Sequence, residues 1–523
     1  MTPDIIESRY DIVIVGGGVT GAGVFHQAVN MGLKALLVEA RDFAWGTSSR
    51  SSKMVHGGLR YLKEGKFLLT RSAVKERQRL LNVYPGLVTP LDFIMPIYKD
   101  LGPSKTTMKT GLNIYSLMAG ERQHRNFDRK TTLGLLPGVR SDQLVSAVGF
   151  RDAQVDDARL VLRLIFDACD RGGHAMNYTG ASGIERDNRG RVRSVLLKDA
   201  ETGAEREVRT TAVINATGVF AETLHPSPMK GFHIRPLRGS HLIFPGDRYK
   251  LDRVISFIQP RDNRPIFIFP WEGCLVLGTT DVDFHGDLNA DPGITFREIN
   301  YLMEGLDSIL PELDLNADDA VAAIAGVRPV LSRKRKSASK ESREHVVWKD
   351  KGLVTVTGGK LTTFSLLARD ALRAAAPWLP GKGRTTKNCL TPVSGPEAGL
   401  PGLPGLDEAA CLRIQGRYGD RINELADHLT EEGRQPVEST HTLWAELCHG
   451  ARSEQIRHLS DLLLRRVRIG LFLPNGGLSV MDRIREKVSP CVDWDRKRWE
   501  KEIQDYRQLW KRAYAPGEVT GDD

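Results

Sequence analysis

The glycines Gly16, Gly18 and Gly21 follow the apolar run of residues 12–15 and precede a helical stretch that reaches Asn30. A side chain at these positions would hold the backbone away from a pyrophosphate or push the helix off its sheet, so the G-x-G-x-x-G spacing suits a phosphate turn. A second short strand, residues 35–38, ends at Glu39, eighteen residues beyond Gly21, where a carboxylate can accept hydrogen bonds from ribose hydroxyls. Strand, turn, helix and acid together predict a site for an adenine dinucleotide. The same carboxylate repels a 2′-phosphate, which argues against NADP.

Three further stretches could meet such a ligand. Residues 47–61, Thr-Ser-Ser-Arg-Ser-Ser-Lys-Met-Val-His-Gly-Gly-Leu-Arg-Tyr, are small enough to wrap an extended molecule, and they offer Thr47, Ser48, Ser52, His56, Gly57 and Gly58. Asn215-Ala-Thr-Gly218 closes one strand, and Gly358-Gly-Lys-Leu-Thr-Thr363 closes another with a helix behind it, adding Gly218, Gly359, Leu361 and Thr362. Glycine-bearing strand ends so far apart suit one long cofactor better than a compact dinucleotide site.

The elements that must position these residues are legible in outline. Apolar residues at helical spacing predict a helix over 157–170, with Asp156 as its cap and Gly172 as its stop. Turn residues at 187–190 and 201–203 predict hairpin strands, as does 271–273 between the apolar runs 266–269 and 275–277. A strand over 353–356 leads into a helix from about 362 to 376. Proline and glycine crowd residues 392–405 and mark a linker, 386–406, between an interleaved body, 1–385, and a helical module, 407–516, with a short tail, 517–523. In that module, residues 456, 459, 462, 463 and 467 form one predicted stripe and 499, 503, 506 and 510 another.

With 523 residues and 41% apolar content the chain can build several domains, which excludes a disordered or disulfide-stapled protein. Its six cysteines form no C-x-x-C pair and predict reduced thiols in a cytoplasmic protein, with no metal site. No run of about 18 apolar residues occurs, and the first residues lack the basic patch and apolar run of a signal peptide, so neither a membrane span nor a signal peptide is expected. The net charge of +9 favours anionic partners without choosing among them. Aromatic residues do not interleave with the basic run 333–336, and no nucleic-acid module appears, so a nucleic-acid partner is not expected.

Residues 15–23, 47–61, 155–160, 239–241 (Gly-Ser-His), 278–281 (Gly-Thr-Thr-Asp), 326–329 (Gly-Val-Arg-Pro) and 358–363 together resemble the FAD-dependent glycerol-3-phosphate dehydrogenases, in order over about residues 10–375. The resemblance implies an α/β fold: a Rossmann-like FAD-binding domain interleaved with an antiparallel-sheet substrate domain, followed by an all-α C-terminal domain. It implies FAD as cofactor and oxidation of sn-glycerol 3-phosphate to dihydroxyacetone phosphate, with electrons passed to membrane quinone. No covalent-attachment motif stands out among the histidines, so non-covalent binding is expected. A glycerol-phosphate oxidase using oxygen and a related amine oxidase are the alternatives. Peripheral contact with the inner face of the cytoplasmic membrane is implied, and a homodimer is compatible with it.

In the family, positions matching Arg60, Tyr61, His241, Arg328, Arg343 and Lys360 line the substrate site. The cations among them can clamp a phosphoester. Arg343 also reads as part of a solvated charged loop. Removal of the C2 hydroxyl proton calls for a base titrating near neutral pH, and His241 is the first candidate, with His56 in reserve. Backbone N–H groups at 361–363 could face negative charge on a reduced flavin. Residues 465–473, arginines followed by an apolar run, are a candidate lipid contact, weighed against packing between helices.

Overall fold

A computed structural model describes residues 7–58, 65, 67–119, 124–225, 233–332, 345–381, 403 and 405–517. Arg60, Tyr61, Arg343, the basic run and nearly all of the predicted linker lie outside the described residues.

The strands Ile12–Val15, Ala35–Val38 and Val213–Asn215 carry only buried side chains, as expected for parallel strands covered on both faces. They pair in parallel with one another, with Leu353–Gly358 and with His174–Met176, and the hairpin strand His345–Asp350 closes one edge antiparallel. Alternation along the strands divides the core. Ile12, Ile14 and Leu37 pack beneath the helices Val19–Asn30, Asp157–Cys169 and Phe364–Ala375, while Val13, Val15, Leu36 and Val38 meet Val195, Leu197 and Val208 of a three-stranded sheet. That small sheet is Thr179–Arg186, Val192–Asp199 and Glu205–Arg209, turned at the predicted positions. The helix Asp157–Cys169 is capped as expected, Asp156 accepting from the Arg159 amide at 3.2 Å, and Gly172 follows its end with φ +91°.

A ten-stranded sheet, mostly antiparallel, forms the second body. Its centre for function is the long strand His233–Pro245, flanked by Cys274–Gly278 and by Ala322–Ser332. Segments of the two sheets alternate along the chain, so the interleaving expected from the sequence is present. The second helix-forming glycine turn begins as a short 3-10 turn, Leu361–Thr363, and the α-helix proper is Phe364–Ala375.

From Glu408 onward the chain is helical, ending in Arg496–Ala513. The stripe at 456–467 is not the regular helix predicted. One α turn, Leu459–Asp461, is followed by a wider π turn, Leu462–Arg466, and Arg468 adopts a left-handed φ of +66°. Adjacent side chains of an α-helix point about 100° apart. The widened turn instead carries Arg465 and Arg466 to the same buried carboxylate, Asp42, with Arg466 Nη1 at 2.6 Å. Arg465, Arg466, Arg468, Ile469, Leu471, Phe472 and Leu473 are all buried against the rest of the molecule. The lipid contact considered for 465–473 is therefore corrected: this segment is an internal seam. Among the described residues, no helix is long and apolar enough to cross a membrane.

Candidate active site

Four parallel strand ends border one cavity of about 2280 Å³: Gly16, Glu39, Gly218 and Gly359 all line it. Gly16 has φ +111°, and a Cβ there would lie 2.6 Å from the Ala216 carbonyl oxygen, so only glycine lets the two strand ends approach. Gly18 caps the first helix without a side chain. The cap is supplied from elsewhere, Ser48 Oγ accepting from the Val19 amide at 2.9 Å. Glu39 is held by two backbone donors, Gly17 N at 2.6 Å and Arg41 N at 3.0 Å, and burial raises its carboxyl above the ordinary range.

Thr47, Ser48, Ser52, His56, Gly58, Leu361 and Thr362 line the same cavity. Thr47 donates to the Val327 carbonyl, and Thr362 Oγ1 both accepts from the His56 amide at 3.2 Å and sits 3.3 Å from its carbonyl. The loop is thereby stitched to both bodies. Two of the glycines serve close packing. A Cβ on Gly21 would lie 1.8 Å from the Gly16 carbonyl oxygen, and one on Gly57 would lie 2.2 Å from the Tyr115 hydroxyl. Both glycines lie outside the lining; they permit close packing behind the wall. Likewise the Thr363 amide is used within its own turn, donating to Lys360 O at 3.1 Å, which leaves Leu361 and Thr362 as the members of that trio on the cavity.

His241, Arg328 and Lys360, carried on separate elements, all line this cavity. His241 pairs across the sheet with Gly278 on one side and Ile324 on the other. A Cβ on Gly278 would lie 2.2 Å from His241 Cδ2, and one on Gly239 would lie 1.6 Å from an Arg328 guanidinium nitrogen. The two glycines thus leave the space that the His241 and Arg328 side chains fill. Arg328 donates to Asp281 Oδ1 at 3.1 Å, Thr279 Oγ1 at 3.1 Å and Thr280 O at 3.0 Å. Asp281 also pairs with Arg264, 3.2 Å away, so one buried carboxylate aligns two guanidinium groups beside the cavity. Arg264 was not singled out by the sequence; its signal is the pairing of Pro265–Trp271 with Cys274–Gly278, which sequence patterning does not specify.

His241 Nε2 lies 2.9 Å from the Ser52 hydroxyl. Burial first, then the charges of Lys53 and Arg328, lower its pKa to about 3, with the Ile324 carbonyl acting in the opposite direction. The expected base titrating near neutrality is thus a neutral imidazole in the chain by itself. An anion bound beside Arg328 opposes the two positive charges and raises the basicity of the ring.

This cavity fits FAD: its cradle admits a pyrophosphate over the capped helix, Glu39 stands where ribose hydroxyls would fall, and it continues as one space to the His241 end. Residues 11–370 match the FAD dependent oxidoreductase family, and residues 361–499 match the C-terminal domain of alpha-glycerophosphate oxidase. The glycerol-3-phosphate dehydrogenase 2 of Mycobacterium tuberculosis is 34% identical over 517 residues, covering 95% of this chain and 87% of that protein. The aerobic glycerol-3-phosphate dehydrogenase of Bacillus subtilis is 30% identical over 545 residues, covering 99% and 97%. A crystal structure of the glycerol-3-phosphate dehydrogenase from Bacillus halodurans complexed with FAD superimposes with a TM-score of 0.77 at 26% identity, over 98% of this chain and 97% of that one. The chain belongs to the FAD-dependent oxidoreductases, in the branch whose members bear the name glycerol-3-phosphate dehydrogenase. FAD is its cofactor.

Proposed function

We propose that this chain oxidises sn-glycerol 3-phosphate to dihydroxyacetone phosphate and delivers the electrons to a membrane quinone. The observation that carries the reading is that Arg328 and Arg264, aligned on Asp281, line the FAD cavity beside His241, and that Lys360 lines the same cavity. Bound FAD supplies the hydride acceptor. Arg328 and Lys360 hold the substrate phosphate, with Arg60, Tyr61 and Arg343 as further proposed contacts. The forked guanidinium of Arg328 orients the phosphate, which in turn places C2. His241 Nε2 takes the C2 hydroxyl proton through the Ser52 hydroxyl, which gives its own proton to the ring as it accepts the one from the substrate. Thr47, Ser48, Ser52, His56, Leu361 and Thr362 hold the cofactor along its length.

The cavity also has an apolar arm lined by Phe93, Met95, Met108, Ile114, Phe150 and Phe267, with the Phe93 ring stacked on Phe150 and edge-on to Phe267. It reaches Phe67, which is 49% exposed beside the 80% exposed Leu68. Apolar walls that open at exposed apolar side chains favour a lipid-soluble acceptor and a peripheral seat on a membrane surface. The match to an oxidase C-terminal domain makes oxygen the competing acceptor. Anaerobic glycerol 3-phosphate should bleach the protein's yellow colour, and a quinone added afterwards should restore it faster than oxygen does. Rapid recovery with oxygen and none with quinone reverses the choice. Met108→Asp should slow recovery by quinone while leaving bleaching at the wild-type rate; equal recovery rates would remove the arm from the acceptor path.

A further inference from the structure

The helical C-terminal domain reaches the reacting end of the cavity through one buried carboxylate. Asp157, the first residue of its helix, is wholly buried and takes five donors. Its Oδ2 accepts from Ser51 N at 2.9 Å, Ser51 Oγ at 2.7 Å and Lys53 Nζ at 2.8 Å; its Oδ1 accepts from Ala158 N at 2.9 Å and Arg468 Nη1 at 3.2 Å. Arg468 is wholly buried too, and its other nitrogen donates to the Ser49 carbonyl at 2.9 Å. The donors are therefore distributed over both sides of Ser52, whose hydroxyl meets His241. Lys53, also buried, sits at φ +58°. A lysine in that conformation persists where its surroundings over-determine it, and Asp157 with the Ser49 carbonyl at 2.9 Å from Lys53 Nζ does so here.

We propose that Asp157 and Arg468 are positioning residues for His241: they lock the segment Ser51–Lys53 so that Ser52 holds the imidazole, which makes the C-terminal domain a working part of the active site. Its kinetic consequence rests on the function proposed above; its geometric content does not.

The test uses the full, FAD-loaded chain with Ser51→Ala, Arg468→Lys and Asp157→Asn. Histidine ¹³Cε1 NMR reads His241 directly, its signal identified by its loss in His241→Gln. In all three variants this signal should move while the other histidine signals stay in place. Anaerobic reduction by glycerol 3-phosphate should slow roughly ten- to a hundred-fold, as expected for misplaced reacting groups, with the half-saturating substrate concentration little changed. The double variant Ser51→Ala/Asp157→Asn should be no slower than the slower single variant, because both changes break the same path. A lowered melting temperature with an unmoved His241 signal and a wild-type reduction rate overturns the proposal, since that is what a purely structural role yields. Should Asp157→Asn fail to fold, Ser51→Ala, which retains the backbone contact, decides by the same criteria. If glycerol 3-phosphate does not bleach even the wild type, the functional reading fails, and the NMR signal alone decides the positioning.

Discussion

At the scale of single residues, the site depends on two absences as much as on its charged groups. Gly239→Ala places a methyl group where the Arg328 guanidinium now lies. The arginine must then swing away from Thr279 and Asp281, and the substrate concentration needed for half-maximal flavin reduction should rise with little change in melting temperature. Arg328→Ala should be more severe, with about 2 to 5 kcal/mol of transition-state stabilisation at stake for a desolvated pair. Steady-state kinetics on both variants check this, and unchanged values remove Arg328 from the site. His241→Ala should slow reduction more than it weakens binding. The sequence exposes Arg328 and His241 because each sits in a recognisable motif. It hides Arg264, which gains its place only once the strand that follows it, Pro265–Trp271, is paired in register with the strand preceding Asp281.

At the scale of elements, ends matter more than middles. The first helix receives its cap from Ser48, twenty-nine residues along the chain, at the mouth of the phosphate cradle. Ser48→Ala should cost about 1 kcal/mol, as for a typical lost cap, and should release FAD more readily; a melt with and without added FAD measures both. The seam between domains is held more firmly. Asp42 accepts from Arg465 and Arg466 while fully buried, and these guanidinium charges hold its carboxyl well below the usual carboxylate range despite burial. Asp42→Ala strands two buried cations and should destabilise the chain by about 3 to 5 kcal/mol, seen as a drop in denaturant midpoint. Periodicity alone predicted a regular helix at 456–467, because it counts apolar positions and cannot anticipate a carboxylate contributed by residue 42.

At the scale of the whole molecule, burial of neutral histidines sets the response to acid. His26 and His241 are both held down to about 3, chiefly by burial, whereas an unfolded chain takes up those protons near 6.5. Below pH 6.5 the unfolded state therefore binds more protons, and stability should fall with decreasing pH by up to about 2.7 kcal/mol per pH unit for two protons. His428 and His449 are lowered in the same sense, and His458 is raised and acts oppositely. Asp156 and Glu454, held at about 2 by arginine neighbours, add a further loss as pH falls from about 4.5 toward 2. Buried carboxyls whose pKa is raised, such as Glu39 and Asp152, act in the opposite sense. Melting temperatures at pH 7.5, 6 and 5 test the sign: a flat series would mean that the folded chain takes up as many protons as the unfolded one, so that the histidine effect is cancelled. The layered architecture was legible because glycine turns, hairpin turns and apolar runs are local signals. The ion-paired seam and the apolar arm of the cavity were not, because both are made by segments hundreds of residues apart. The cradle of four strand ends carries one more implication. Its pieces are synthesised first at residue 16 and last at residue 359, so a nascent chain still lacking the final strand should capture no flavin, and truncations released before residue 345 should emerge colourless from the ribosome.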